Sequence, residues 1–209
     1  MKRYTALFLA FALAFCLAGC RRMTEEDTTG MTDPMTGPTQ SDPTHGGSTQ
    51  TEANGAAGIL TAVWEKYAED ERFAVYGGMM DAPVDNAPGN LDLTNGDELA
   101  SKYLMNADLL AQVDEGASLT HLMNNNLFSA AAFRLKAQTN AEAFAKSLRD
   151  NIQKNQWICG QPDRLLIARA EGDYLVVAFG SEDAMKTFSS RFTQCFSGAK
   201  TFYSEAVVA

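Results

Sequence analysis

LFSAAAFRLK (Leu127–Lys136), TNAEAFAKSLRDNIQKN (Thr139–Asn155), RLLIARA (Arg164–Ala170), YLVVAF (Tyr174–Phe179), SEDAMKTFSSRFTQCF (Ser181–Phe196) and TFYSEAVV (Thr201–Val208) decide the fold. The first block reads as a strand of small and aromatic residues. Thr139-Asn140-Ala141-Glu142 has the form of a capping box, in which a hydroxyl and a carboxylate each satisfy a free backbone amide. The helix it opens repeats Phe144, Leu148 and Ile152 every fourth position, beside Ala141 and Ala145. Two apolar runs joined across Glu171-Gly172-Asp173 read as a hairpin. Ser181 is the expected cap of a second helix, with Glu182 and Asp183 favourable in its first turn. That helix carries Met185, Phe188, Phe192 and Phe196 on one stripe, and a last strand follows. The order strand, helix, strand, strand, helix, strand is that of the ferredoxin-like βαββαβ unit. The expected fold class is therefore α+β: a four-stranded antiparallel sheet with two helices on one face.

Upstream, Ile59, Leu60, Val63, Trp64 and Tyr67 fall on one helical face, and Glu65, Lys66, Glu69 and Asp70 on the other. Glu98 to Ala111 reads as one broken helix or two short ones. These additional N-terminal helices are expected over the other face or an edge of the sheet. The Gly/Pro/Asp-rich stretch between them reads as a loop. Its acidic residues Asp81, Asp85, Asp92, Asp97 and Glu98 lack the alternating oxygen ligands and closing glutamate of a calcium loop, and are expected in turns and helix starts.

Farther upstream the character changes. Residues 23–58 are rich in Thr, Gly, Pro, Ser and Asp, and such a segment buries too little apolar surface to offset its chain entropy. A flexible tether is expected there, with His45 one of its residues. At the start, Lys2 and Arg3 precede an uncharged apolar run, TALFLAFALAFCLAG (Thr5–Gly19). A charged start, a short apolar middle and small residues at the end make an export signal. The run is too short to span a membrane comfortably, since a spanning helix needs about 20 residues.

The end of that run, Leu17-Ala18-Gly19-Cys20, closely resembles the lipobox of bacterial lipoproteins. The competing reading is an ordinary secretory signal with a chance cysteine. The resemblance implies cleavage between Gly19 and Cys20, a diacylglyceryl group on the Cys20 thiol, and palmitate-type acyl chains as the anchor. It implies a place on the extracytoplasmic side of the cell membrane, with the membrane itself as a partner through the lipid on Cys20. Two acyl chains, at ~0.8 kcal/mol per buried methylene, hold stably where one is marginal. The division expected is signal 1–19, lipidated cysteine and tether 20–55, domain 56–209.

The domain itself resembles small lipoproteins of low-GC Gram-positive bacteria that carry a C-terminal domain of unknown function. The likeness runs through Tyr103-Leu-Met-Asn106, the FRLK strand end, AEAFAKSLRDNIQ, Gly172-Asp-Tyr-Leu-Val176 and SEDAMKTF. Trp157 stands where that family usually has a tyrosine. The resemblance implies an exported, lipid-anchored domain and brings no catalytic residue with it.

Composition narrows the function. The chain has 209 residues and a formal charge of −9, without a basic stripe, which disfavours nucleic acid as a partner because phosphate neutralisation drives that affinity. No Gly-x-Ser-x-Gly elbow, histidine pair or Cys-x-x-Cys occurs, so no catalytic residue, no metal ligand and no cofactor is assigned. His121 is expected as a capping or half-buried residue. With Cys16 in the signal and Cys20 lipidated, two thiols remain. The ferredoxin-like path puts Cys159 and Cys195 at opposite ends of a helix, too far apart for a bond needing Cα atoms within about 7 Å. Free, mostly buried thiols are expected. Trp157, on a loop with Gly160 and Pro162, is the possible binding residue, either an anchor for a partner or a plug for the core. The leading expectation is a non-catalytic binding or accessory module with a protein partner. The alternatives are an extracytoplasmic hydrolase with scattered carboxylates and a small-solute binder.

Overall fold

The computed structural model describes residues 55–208. Gly19, Cys20, the signal and the tether through Asn54 lie outside the described residues. In chain order the elements are α1 (Gly55–Glu65), β1 (Val75–Met79), β2 (Ala82–Asp85), β3 (Gly89–Asn90), α2 (Gly96–Tyr103), α3 (Ala107–Leu110), β4 (Val113–His121), β5 (Phe128–Leu135), α4 (Ala141–Lys154), β6 (Arg164–Arg169), β7 (Tyr174–Gly180), α5 (Glu182–Cys195) and β8 (Lys200–Ala206). Most boundaries follow local chemistry. Ser181 caps α5 by accepting from the Ala184 amide. On α4 the cap is Asn140 rather than Thr139: its side chain accepts from the Glu142 and Ala143 amides, while the Thr139 hydroxyl donates to the Gln112 carbonyl. The stretch expected as a loop instead holds β1, β2 and β3, and Asp85 ends β2 rather than lying in a turn, while Asp81, Asp92, Asp97 and Glu98 do sit in turns and at a helix start. Asp92 accepts from the Thr94 amide, and Asn95 caps α2, with Asp97 and Glu98 in its first turn.

The fold is α+β, with one eight-stranded antiparallel sheet in the order β2-β1-β4-β5-β7-β6-β8, and β3 pairing β4 as well. The expected sequence of elements from β5 to β8 is present, but its ferredoxin-like arrangement in space is not. There β8 would return to the free edge of β5. Here β4, joined to β5 by a short connection, already holds that edge over Val113–Thr120 paired with Leu135–Ser129. So β8 pairs with β6 at the opposite edge.

That displacement also moves a helix. β5 and β6 run parallel with β7 between them, and β7 and β8 run parallel with β6 between them. Both crossovers therefore step the same way along the sheet, from strands that run in opposite directions. Right-handed connections then place α4 and α5 on opposite faces. The packing agrees. Phe144, Leu148 and Ile152 of α4 pack with Leu165, Ile167, Leu175, Val177 and Phe179. Met185, Phe188 and Phe192 of α5 pack with Leu166, Ala168, Val176 and Ala178. The expectation of two helices on one face is thus corrected to three layers. α1 shares the face of α5, and α2 and α3 share that of α4. Small side chains (Ala117, Ala130, Ala132, Ala168, Ala178) floor the α1–α5 side, which leaves room for the phenylalanines above them.

Both sheet edges are blunted. β2 is four residues long and contains Pro83. β8 is paired across a bulge and carries Lys200 and Glu205, each engaged by a charged partner, Glu142 and Arg149. Short strands, proline, bulges and charge are the means by which edges avoid pairing with other chains.

Candidate functional site

The two ends of β4 differ. At its start, Glu115 accepts from the Ala56 amide at 2.6 Å and from the Tyr174 hydroxyl at 3.0 Å. A carboxylate from the sheet thus caps α1, where Gly55 at φ +79° brings the chain in. At its finish, His121 leads into the Leu122–Leu127 connection. Roughly 20 Å separates these two ends, at ~3.3 Å per strand residue.

The far end carries the exposed apolar surface. Leu122, Met123, Leu127 and Ile158 lie on its two connections, and Met80 and Val84 on the flanking β1–β2 hairpin. Among the described residues, only Val208 is a further large apolar side chain that is exposed. Met123 and Ile158 are each 81% exposed. The two connections are tied together by side-chain amides. Asn126 donates to the Ile158 and Gly160 carbonyls at 2.8 and 2.6 Å, and Asn124 donates to the Cys159 carbonyl at 3.2 Å.

Trp157 belongs to this end. Its ring packs on Phe179 with centroids 5.3 Å apart, and its Nε1 is buried with no hydrogen-bond partner. It closes the core and also lines a cleft of about 340 Å³ with Ser101, Lys102, Asn125, Asn126, Asn155, Gln156 and Ile158. A neighbouring cleft of about 400 Å³ lies between the hairpin and the Leu122–Asn125 connection, lined by Tyr76, Met80, Pro83, Asp85, Leu122 and Met123. Lys102 and Asn125 line both.

Lys102 is held by Glu98 and Tyr76. Its Nζ lies 2.8 Å from Glu98 Oε1 and 5.1 Å from the Tyr76 ring centre, and the Tyr76 hydroxyl donates to Asn125 Oδ1. Burial alone would lower the Lys102 pKa, but hydrogen bonds to Glu98 and Tyr76 outweigh it and hold the ammonium above the usual lysine range. Burial alone would raise Glu98, but hydrogen bonds from Lys102 and the Met80 amide outweigh it and keep the carboxyl below the usual glutamate range. The pair is a fixed ammonium–carboxylate unit at neutral pH, suited to holding geometry rather than to moving protons.

The other sequence candidates fall elsewhere. His121 Nδ1 accepts from the Met123 amide, and its ring stacks on Phe73 at 5.3 Å, so it shapes the turn into the loop. Both thiols are free. The half-buried Cys195 donates to the Ala62 carbonyl against α1, and burial pushes its pKa up. Cys159 is exposed, not buried as expected: it sits at φ +65° in the connection pinned by Asn124, which turns it out of the core. Another cleft, of about 410 Å³, runs beside α5, where Arg191 is bound to Glu71 through Nε at 3.1 Å and through Nη2. Its main cation is thereby occupied.

Among the described residues no helix is long and apolar enough to cross a membrane, and no group of three or more His, Cys, Asp or Glu side chains is placed to hold a metal ion. The chain matches no protein-family model, no curated protein and no solved structure.

Proposed function

We propose that the protein is a membrane-anchored extracytoplasmic lipoprotein whose domain is a non-catalytic binding module. Lipid on Cys20 holds it to the cell membrane, and the apolar connections at the far end of the sheet meet an exported protein partner. The resemblance of Leu17-Ala18-Gly19-Cys20 to a lipobox at the end of an uncharged apolar run supports the first half. One observation carries the second: the chain enters the domain beside Glu115, while Leu122, Met123 and Ile158 are exposed at the opposite end of β4. Contiguous apolar side chains left in water mark contact surfaces. A bilayer is the less suitable occupant, because a chain of charge −9 is repelled by anionic headgroups.

The test is site-specific photo-crosslinking in intact host cells. A photoreactive side chain at Met123 or Ile158 is expected to give a discrete, reproducible adduct with one exported protein. The same group at Thr201, exposed on β8, is expected to give none. Equal labelling at the three positions contradicts a binding end.

A further inference from the structure

The cleft beside Trp157 has a chemistry distinct from the apolar rim around it. Its walls hold three kinds of polar group: the carboxamides of Asn125, Asn155 and Gln156, the Ser101 hydroxyl, and the Lys102 ammonium. The ammonium is already bound to Glu98 at 2.8 Å, so it offers little to an anion. None of the lining side chains is a carboxylate, so the cleft offers little to a cation. What remains is a neutral surface of groups that each donate and accept, as a carboxamide does. Such groups match a ligand whose own groups both donate and accept, above all a run of hydroxyls.

Trp157 adds the apolar half. Its Nε1 is buried, so the half-buried ring brings apolar rather than hydrogen-bonding surface to the cleft it lines. Phe179 at 5.3 Å holds the ring in place. A fixed aromatic surface beside amides suits a pyranose, which has an apolar C–H face and a polar rim. The connection that carries Trp157 and Ile158 is braced by Asn126, so little ordering is needed on binding. We infer that this cleft is a binding site for a neutral saccharide. A peptide backbone also satisfies carboxamides, but it makes less use of a flat aromatic wall. The inference goes beyond the protein-contact reading and stands without it.

The experiment is calorimetric titration of the full-length chain in detergent with chitotetraose, cellotetraose and maltotetraose. At least one is expected to bind with a Kd of about 1 mM or tighter. The Asn155→Ala/Gln156→Ala double variant, at one half-buried and one exposed position with no side-chain partner among the described residues, is expected to weaken that binding about tenfold or more by removing two hydrogen-bonding amides, at an unchanged melting temperature. Trp157→Ala is expected to weaken it as well; the double variant decides the matter if the tryptophan variant melts early. No binding of any of the three up to about 10 mM, or binding indifferent to the double variant, overturns the inference. So does binding of tetraglycine in place of the sugars, which would assign the cleft to peptide. None of these outcomes bears on the anchor or on crosslinking at Met123.

Discussion

Phe128→Ala is expected to destabilise the domain by about 4 kcal/mol, the range for removing a fully buried phenylalanine. Phe128 is 0% exposed and begins β5. Its ring meets Phe73 edge-on at 5.4 Å and Phe188 at 5.4 Å. On one side Phe73 continues to Trp64 and Tyr67; on the other Phe188 continues to Phe192 and Phe196. Phe128 therefore joins the aromatic cluster around α1 to the stripe of α5. Its backbone cannot close the gap, because β5 is hydrogen-bonded to β4 and β7 along its length. The melting temperature should fall by roughly 10 °C, at about 2–4 °C per kcal/mol for a domain of this size. Met123→Ala, at the exposed loop end, should stay within about 0.5 kcal/mol. Thermal melts of both variants check this, and equal melting temperatures would contradict the packing described.

Gly77→Ala is expected to cost about 3 kcal/mol, at the upper end for overpacking. One edge of β4 is shared: β1 takes it at His121 and Thr120, and β3 at Ser118 and Ala117. At Gly77 the chain of β1 leaves β4 and passes over β3. A Cβ there would overlap the Gly89 nitrogen and lie 2.5 Å from both the Pro88 carbonyl carbon and the Ser118 carbonyl oxygen. All three are backbone atoms, so no side chain can turn aside. The buried Ser118 hydroxyl accepts from the Gly78 amide at 3.0 Å, which pins the crossing and leaves it no room to shift. Gly198→Ala is the control, since a Cβ there meets nothing within 4 Å. Urea titration should separate the two variants clearly. Equal midpoints would mean that the crossing is looser than described.

These two residues also mark what could be read from the chain alone. The α5 stripe is legible because Met185, Phe188 and Phe192 recur at helical spacing, and β5, β6 and β7 because each is a run of apolar residues between turn signals. β4 is not. Gly116, Ala117, Ser118 and Thr120 are small and partly polar, and they are buried because covered strands need no large side chains of their own when helices supply them. The hairpin of β1 and β2 hides behind Gly77, Gly78 and Pro83, which read as a loop when the glycines are in fact required by a close crossing. The side on which α5 lies depends on which sheet edge β8 can reach. β4 settles that by holding the free edge of β5, and its small, partly polar residues give the sequence no strand signal to show it.

The candidate site is legible in the same uneven way. Trp157 stands out as an aromatic on a loop. Asn124 and Asn126 gain a role only when the Cys159 region is folded against them. Lys102 can be paired with Glu98 from their i,i+4 spacing, but nothing local places Tyr76 beside it. The exposure of Cys159 is not legible because nothing local signals that its connection is turned outward at φ +65° and pinned by Asn124.

Intact-mass and peptide mass spectrometry of the protein isolated from membranes of its own host tests whether Cys20 carries the anchor. A mature chain that begins at Cys20 and carries a diacylglyceryl thioether is expected, and Cys20→Ala is expected to leave the precursor uncut or released. An unmodified mature chain that begins at any other residue would contradict the anchor.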